Sequence, residues 1–269
     1  MALPAASAES TCLVTGASSG IGVELARALA RRGHGVTLVA RRKERLEQLA
    51  QELARGYGVR AEVLACDLAD PVVRDGLAED ITALGLTVEV LCNNAGFGSA
   101  APFIKLDRER EVKMLRLNCE AVVDLCARYA PAMVERGRGA ILNVASTAAF
   151  QPLPGQSTYA ASKALVLSLT EAIHQELGGK GVAVTALCPG PVRTEFAEVA
   201  GIAKVEASTP SFLWATAESV AEAGVRGLEA GHRIVIPGAV NRIGAIAGSY
   251  TPRALSLRAT ARFYPAGRE

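Results

Sequence analysis

Along this chain, short apolar runs alternate with longer stretches in which apolar residues recur every three or four positions. The runs Thr11 to Thr15, Val36 to Ala40, Val59 to Cys66, Val88 to Cys92, Ala140 to Ala145, Val182 to Cys188 and Arg233 to Ile236 read as seven strands. The first intervening stretch carries Ile21, Leu25, Ala28 and Leu29 at helical spacing, and the next carries Leu46, Leu49 and Leu53. Asp70-Pro71 starts another helix, with proline suited to the first turn. Asp107 to about Glu135 reads as one long helix, its buried face supplied by Val112, Leu115, Cys119, Val122, Val123 and Cys126. A helix from about Ser157 carries Leu169, Ile173 and Leu177 inward and stops at Gly178-Gly179, and Thr216 to Ala230 is a further helix.

Strands alternating with helices predict a single-domain α/β fold: a Rossmann-type, doubly wound parallel sheet of about seven strands, with helices on both faces. Residues 11–238 would form this domain, after a short flexible leader of residues 1–10. Two segments break the alternation. From Glu195 to Ala215 the periodicity fails, and Phe196, Ile202, Val205, Phe212, Leu213 and Trp214 stand among small and polar residues. A long apolar loop of this kind is expected to act as a substrate lid, or else to pack locally at the surface. Residues 239–269 carry five arginines, interleaved with apolar residues such as Ile243, Ile246 and Leu255, and no acid before Glu269. This extension is expected to pack on the domain or at a subunit interface; peripheral membrane contact is the alternative.

Composition narrows the function more than the fold. The chain has 269 residues, half of them hydrophobic and 4% aromatic, so a substantial aliphatic core is available. A net charge of +2 gives bulk charge no argument for nucleic-acid binding. No apolar run approaches the ~20 residues of a membrane span, and the first ten residues lack the pattern of a secretory signal. Six cysteines without a Cys-x-x-Cys pair read as small buried hydrophobes in a reducing, cytoplasmic setting, and three scattered histidines offer no metal-ligand spacing.

Candidate chemistry collects where the strands end. The first strand runs into Gly16-Ala17-Ser18-Ser19-Gly20-Ile21-Gly22, a glycine-rich turn that opens a helix. Such a turn lets backbone approach a pyrophosphate, and the helix N-terminus supplies free N–H groups and a favourable dipole. After the second strand, where an acid would pair with a ribose 2′-hydroxyl, stand Arg41 and Arg42, which suit the 2′-phosphate of NADP. The third strand ends at Asp67 and Leu68, and Asp67 offers an acceptor to an adenine amino group. Asn93, Asn94, Ala95 and Gly96 follow the fourth strand, with amides to tie strand ends together and small residues to leave room for a flat cofactor. Ser146 ends the fifth strand, and Pro189, Gly190, Val192 and Thr194 follow the sixth. Tyr159 and Lys163 share one helix face, where the ammonium would draw the phenol's proton into working range. In open α/β sheets, ligands bind beyond these carboxyl ends.

These motifs together resemble the short-chain dehydrogenase/reductase family over roughly residues 11–238. The Thr15-Gly16-x-x-x-Gly20-Ile21-Gly22 turn, Asn93 to Gly96, Ser146, Tyr159-x-x-x-Lys163 and Pro189-Gly190 with Thr194 carry the likeness. The basic residue that some NADP-using members place before the second motif glycine is absent, because Ser19 stands there. The resemblance implies hydride transfer between NADP(H) and a small-molecule carbonyl or secondary alcohol, with Asn118, Ser146, Tyr159 and Lys163 as the catalytic set. It implies that Asn118 holds a water relaying protons to Lys163, that Lys163 binds the nicotinamide ribose, and that Thr194 binds the carboxamide. It also implies a homodimer or homotetramer. A non-catalytic NADP-binding sensor and a membrane- or carrier-associated lipid ketone reductase are the competing readings.

Overall fold

The computed structural model describes residues 3–201 and 213–263. Seven strands form one parallel sheet among the described residues, in the order β3-β2-β1-β4-β5-β6-β7. They are β1 (Ser10–Thr15), β2 (Val36–Ala40), β3 (Ala61–Ala65), β4 (Thr87–Asn93), β5 (Gly139–Val144), β6 (Val182–Leu187) and β7 (Ile234–Val235). Each parallel pairing needs a crossover, and helices supply them. These are α1 (Gly20–Arg31), α2 (Lys43–Tyr57), α3 (Pro71–Ala83), α4 (Arg108–Leu115), α5 (Ala121–Glu135), α6 (Ser157–Leu177) and, after a short α7 (Phe196–Ala200), α8 (Ala217–Glu229).

Alternation along the strands sorts the core into two layers. Cys12 and Val14 of β1 face α1, α2 and α8, where Leu25, Leu29, Leu46, Leu53, Val225 and Leu228 are buried. Leu13 faces the other way, toward Leu77 of α3, Leu125 of α5 and Val166 of α6. Burying each such leucine contributes roughly 1.5–3 kcal/mol. Asp70 caps α3, accepting from Val72 N–H at 3.0 Å with Pro71 in the first turn, as the sequence implied. All six cysteines are buried and free.

The expected long helix from Asp107 to Glu135 needs correction. It is interrupted by a π-helical segment, Arg116–Glu120, between α4 and α5. A π turn inserts one residue and rotates the preceding helix by about 100° against the pattern. Glu111 and Met114 are therefore the buried residues of α4, whereas Val112 and Leu115 are exposed, as is Val123 on α5. Strand limits also shift: β1 already includes Ser10, β3 is shorter than residues 59–66, β7 has only two residues, and β4, β5 and β6 move by one residue at one or both ends.

Beyond β7 the chain continues as α9 (Ala239–Tyr250) and α10 (Arg253–Phe263). Ala245, Ser256 and Thr260 are buried, while Ile243, Ile246, Leu255 and Leu257 stay exposed. Near the N-terminus, Leu3 packs against the core and Glu9 C=O accepts from Thr87 N–H at 2.7 Å. Ile202, Val205 and Phe212 of the expected lid lie outside the described residues.

Candidate active site

The strand ends are knitted together before any ligand is considered. Thr15 Oγ1 donates to Cys92 C=O at 3.2 Å and accepts from the N–H groups of Asn94 and Ala95 at 2.9 and 3.0 Å. Asn94 Nδ2 returns a hydrogen bond to Thr15 C=O at 2.9 Å. Asn93 Nδ2 donates to Asn143 Oδ1 at 2.8 Å, and Asn143 Nδ2 donates to Thr170 Oγ1 at 3.0 Å. Buried amides paired in this way fix β1, β4, β5 and α6 in one register.

Above this platform lies a cavity of ≈ 740 Å³. Every residue expected to bind the cofactor or act in catalysis lines it except Gly22 and Asn118; Asn93, which ties strand ends together, does not line it either. Gly22 is needed for the turn itself, since a Cβ there would lie 2.3 Å from Gly16 C=O. Gly16 and Gly20 adopt positive φ angles of 68° and 56°, which favour glycine. The α1 N-terminus then opens toward the cavity with no side-chain cap at Ser19 and no acid in its first turn. Its free N–H groups fit a pyrophosphate. Arg41 and Arg42 line the same end. Arg42 donates to Ser18 Oγ at 3.1 Å and to Glu195 at 2.9 Å, and Arg45 reaches the other oxygen of Glu195 at 2.6 Å. Those two arginines hold the Glu195 carboxyl below its ordinary pKa. Asp67, at the adenine end expected for it, accepts from Lys113 Nζ at 2.9 Å and from Ala69 N–H at 3.2 Å.

At the other end the chemistry-bearing side chains meet. Tyr159, 8% exposed, packs against Phe196 with ring centroids 5.4 Å apart and the rings tilted by 51°. Lys163 Nζ lies 5.9 Å from the Tyr159 ring centroid and donates to Val144 C=O at 2.8 Å. Burial lowers the Lys163 ammonium pKa to about 8, with the nearby Cys119 and Cys188 acting in the opposite direction. Burial also pushes the Cys188 thiol up to about 12, so it is no nucleophile at neutral pH. Ser146 Oγ accepts from Ala148 N–H at 3.1 Å and faces Pro189 C=O at 3.5 Å.

Asn118 sits in the π segment, 1% exposed, and its side chain is engaged by the Phe97 backbone and the Ser162 hydroxyl. Its Oδ1 accepts from Phe97 N–H at 3.1 Å, and its Nδ2 donates to Phe97 C=O at 2.9 Å and to Ser162 Oγ at 3.1 Å. Gly96 must be small for a reason the sequence did not show: a Cβ there would lie 2.9 Å from Asn118 Oδ1. Thr194 lies over the glycine turn, where a Cβ on Gly20 would come within 3.0 Å of Thr194 Cγ2.

Several residues of the cavity were not singled out from sequence. Phe97, Phe150, Leu153, Gln156 and Asn241 are among them, whereas Phe196, Leu213 and Trp214 of the expected lid do line the cavity. Asn241 of α9 packs on Gly190, where a Cβ would lie 2.5 Å away, and donates to Leu213 C=O at 3.2 Å. The C-terminal extension thus walls the site, with Val240, Gly244, Ala245 and Thr260 beside Asn241. Only the fold brings these residues to the cavity; nothing in their local spacing announces it.

A parallel sheet with an anion-ready helix end at one side of a cleft, and a Ser–Tyr–Lys cluster at the other, defines a nicotinamide-dinucleotide oxidoreductase. The family model for short-chain dehydrogenases matches residues 10–203, and the chain belongs to that family. It is 35% identical over 219 residues to a very-long-chain 3-oxoacyl-CoA reductase of Anas platyrhynchos, spanning 79% of this chain and 67% of that one. A short-chain dehydrogenase from Sphingobium yanoikuyae, solved in complex with NADPH, superposes with a TM-score of 0.79 at 35% identity, covering 89% of this chain and 93% of that one. A bulky-bulky ketone specific alcohol dehydrogenase from Comamonas testosteroni superposes with a TM-score of 0.73 at 29% identity, over 91% and 95% of the two chains. The protein is an oxidoreductase acting on carbonyl and alcohol groups. No helix among the described residues is long and apolar enough to cross a membrane.

Proposed function

We propose that this chain is an NADP(H)-dependent reductase of apolar ketones, running in reverse as a secondary-alcohol dehydrogenase. The observation that carries the reading is the convergence of Ser146, Tyr159 and Lys163 on one cavity with the uncapped α1 N-terminus and Arg42. The cofactor, when bound, supplies or takes the hydride at the carbonyl carbon. Ser146 donates a hydrogen bond to the carbonyl oxygen and stabilises the charge that develops there. Tyr159 gives that oxygen its proton in reduction, and its phenolate removes one in oxidation. The Lys163 charge favours the phenolate and offers donors to a ribose hydroxyl. Asn118 holds the backbone of Phe97 at the cavity edge through two hydrogen bonds. In this reading it also supports a water near Lys163. Thr194 orients the carboxamide, and Pro189 to Val192 wall the ring.

Arg41 and Arg42 favour NADP over NAD, in line with the NADPH found in the Sphingobium relative. Phe97, Phe150, Leu153, Phe196 and Val240 make the substrate end apolar. The names of the relatives, an oxoacyl reductase and a bulky-ketone dehydrogenase, point the same way. A cytoplasmic location fits the six free, buried thiols. Assembly as a homodimer or homotetramer fits exposed Val112, Leu115, Val123 and Leu165 on neighbouring helices.

The test is NADPH oxidation against a panel of steroid, acyl, quinone and small ketones, repeated with NADH. Turnover of apolar ketones with NADPH favoured supports the reading. Tight NADPH binding with no turnover across the panel would instead favour the non-catalytic sensor.

A further inference from the structure

The two helices that follow β7 run against the usual order of burial. On α9 the covered stripe is Asn241, Ala245 and Gly248, and a Cβ on Gly248 would lie 3.2 Å from Gln151 Oε1. The opposite stripe is Val240, Ile243, Ala247 and Tyr250, spaced three or four residues apart, with Ile246 beside it. All five are exposed, Tyr250 by 86%. The helix is thus apolar on both sides but covered on only one, and a helix apolar all round is normally buried. On α10 the order inverts. Ser256 and Thr260 are buried, and their hydroxyls donate to Arg253 C=O at 3.0 Å and Ser256 C=O at 2.8 Å, whereas Leu255 and Leu257 are exposed.

Charge and position say what covers this face. Arg242, Arg253 and Arg258 are exposed on the same two helices, and none of them is in an ion pair among the described residues. Residues 239–268 contain no acid. A second copy set face to face would bring these arginines together with no acid from either segment to offset them, which disfavours it. The face also borders the mouth of the cavity, since Val240, Gly244 and Thr260 line it. The next segment round the cavity wall is tied on both sides: Thr260 Oγ1 donates to Pro152 C=O at 3.5 Å, and Ala101 N–H donates to Gly155 C=O at 3.0 Å. Just after Ala101 stand Phe103 and Ile104, 70% and 91% exposed.

We propose that α9 and α10 form a docking surface for an anionic lipid bilayer. Ile243, Ile246, Tyr250, Leu255 and Leu257 enter the interfacial layer, and Arg242, Arg253 and Arg258 meet the headgroup phosphates. Buried apolar area and attraction to anionic lipid are the two contributions that hold interfacial helices on membranes. The chain lies on the bilayer and does not span it through any described helix. Docked in this way, the cavity mouth adjoins the lipid, so an apolar substrate enters without crossing water. That use of the surface rests on the reductase reading; the docking itself does not.

The test is co-sedimentation of the full chain with sucrose-loaded vesicles. One set is pure phosphatidylcholine, and the other is equal parts phosphatidylcholine and phosphatidylglycerol. Wild type should partition onto the anionic set at least about tenfold more strongly, and added salt should weaken that binding. Two pairs of substitutions separate the contributions. Ile243→Ser with Leu255→Ser removes apolar contact, and Arg242→Gln with Arg253→Gln removes charge. Each pair should lower the partition coefficient on anionic vesicles by about tenfold or more. All four side chains are exposed, so NADPH affinity by fluorescence titration and the melting temperature should stay at wild-type values. The wild-type comparison between the two vesicle sets needs no variant. Absence of wild type from the anionic pellet, equal binding to both sets, or unchanged binding by either pair would overturn the proposal. A wild-type oligomer that Ile243→Ser with Leu255→Ser splits in sedimentation velocity, without vesicle binding, would assign the face to a second copy instead. Each of these outcomes leaves the reductase reading in place, because the ketone panel tests that reading in solution.

Discussion

Lys163 is a buried ammonium whose nearest acceptor is a backbone carbonyl, and burial has already lowered its pKa to about 8. The sign of the consequence follows directly. Below about pH 8 the side chain is charged and favours the Tyr159 phenolate, and above it that support is lost. The kcat/KM for NADPH in ketone reduction, which reports the free enzyme, should therefore fall as pH rises through about 8. A profile flat to pH 10 would show that Lys163 does not act through its charge. At this scale the sequence was informative where chemistry depends on spacing along one element. The Tyr159–Lys163 pair, the glycine turn and the Pro189 to Thr194 segment all declared themselves. It was silent where a role depends on a partner far along the chain. Asn143 finds Asn93 across β5 and β4, Gln156 faces a pocket closed by other elements, and Asn241 reaches Gly190 and Leu213 from beyond the last strand. Asn118 was legible as an oddity in a helix, but its hydrogen bonds to Phe97 were not.

Among the elements, α7 and α2 are joined across the cofactor end of the cleft by Glu195, which bridges Arg42 and Arg45. An acid therefore competes for the arginine assigned to a 2′-phosphate. Glu195→Gln should free Arg42 and tighten NADPH by up to about fivefold, with a smaller effect on NADH, since exposed pairs are worth little in water. Isothermal titration with both cofactors reads this, and weaker NADPH binding in Glu195→Gln would contradict it. Glu195 could not be assigned from sequence, because its partners lie 153 and 150 residues away. The α4–α5 pair shows a different limit. Residues 107–135 carry a helical period throughout, and a period cannot reveal a single inserted residue. The π segment at Arg116–Glu120 rotates α4, burying Glu111 and Met114 where Val112 and Leu115 were expected. The insertion falls at Asn118, in keeping with the tendency of π turns to occur at functional sites.

For the whole molecule, the strand order β3-β2-β1-β4-β5-β6-β7 places the chain reversal between β1 and β4, and the cleft opens there. The parallel sheet of seven strands with helices on both faces followed from the alternation of strands and helices; the strand order did not. Assembly did not, because the apolar residues that α4, α5 and α6 leave exposed became visible only with the rotated register. If those helices form a subunit contact, wild type sediments as a dimer or tetramer, and Leu115→Glu with Val123→Glu shifts it toward monomer in sedimentation velocity. A monomeric wild type would remove that proposal. The central claim is that the molecule brings a proton donor, its electrostatic partner and a nicotinamide site into one cavity. Tyr159→Phe tests it most directly, because it removes one hydroxyl and leaves the ring against Phe196. Turnover of a ketone identified from the panel should fall by about 10²–10⁴-fold, while NADPH affinity, read by fluorescence titration, stays within about threefold. Wild-type turnover by Tyr159→Phe would contradict the account.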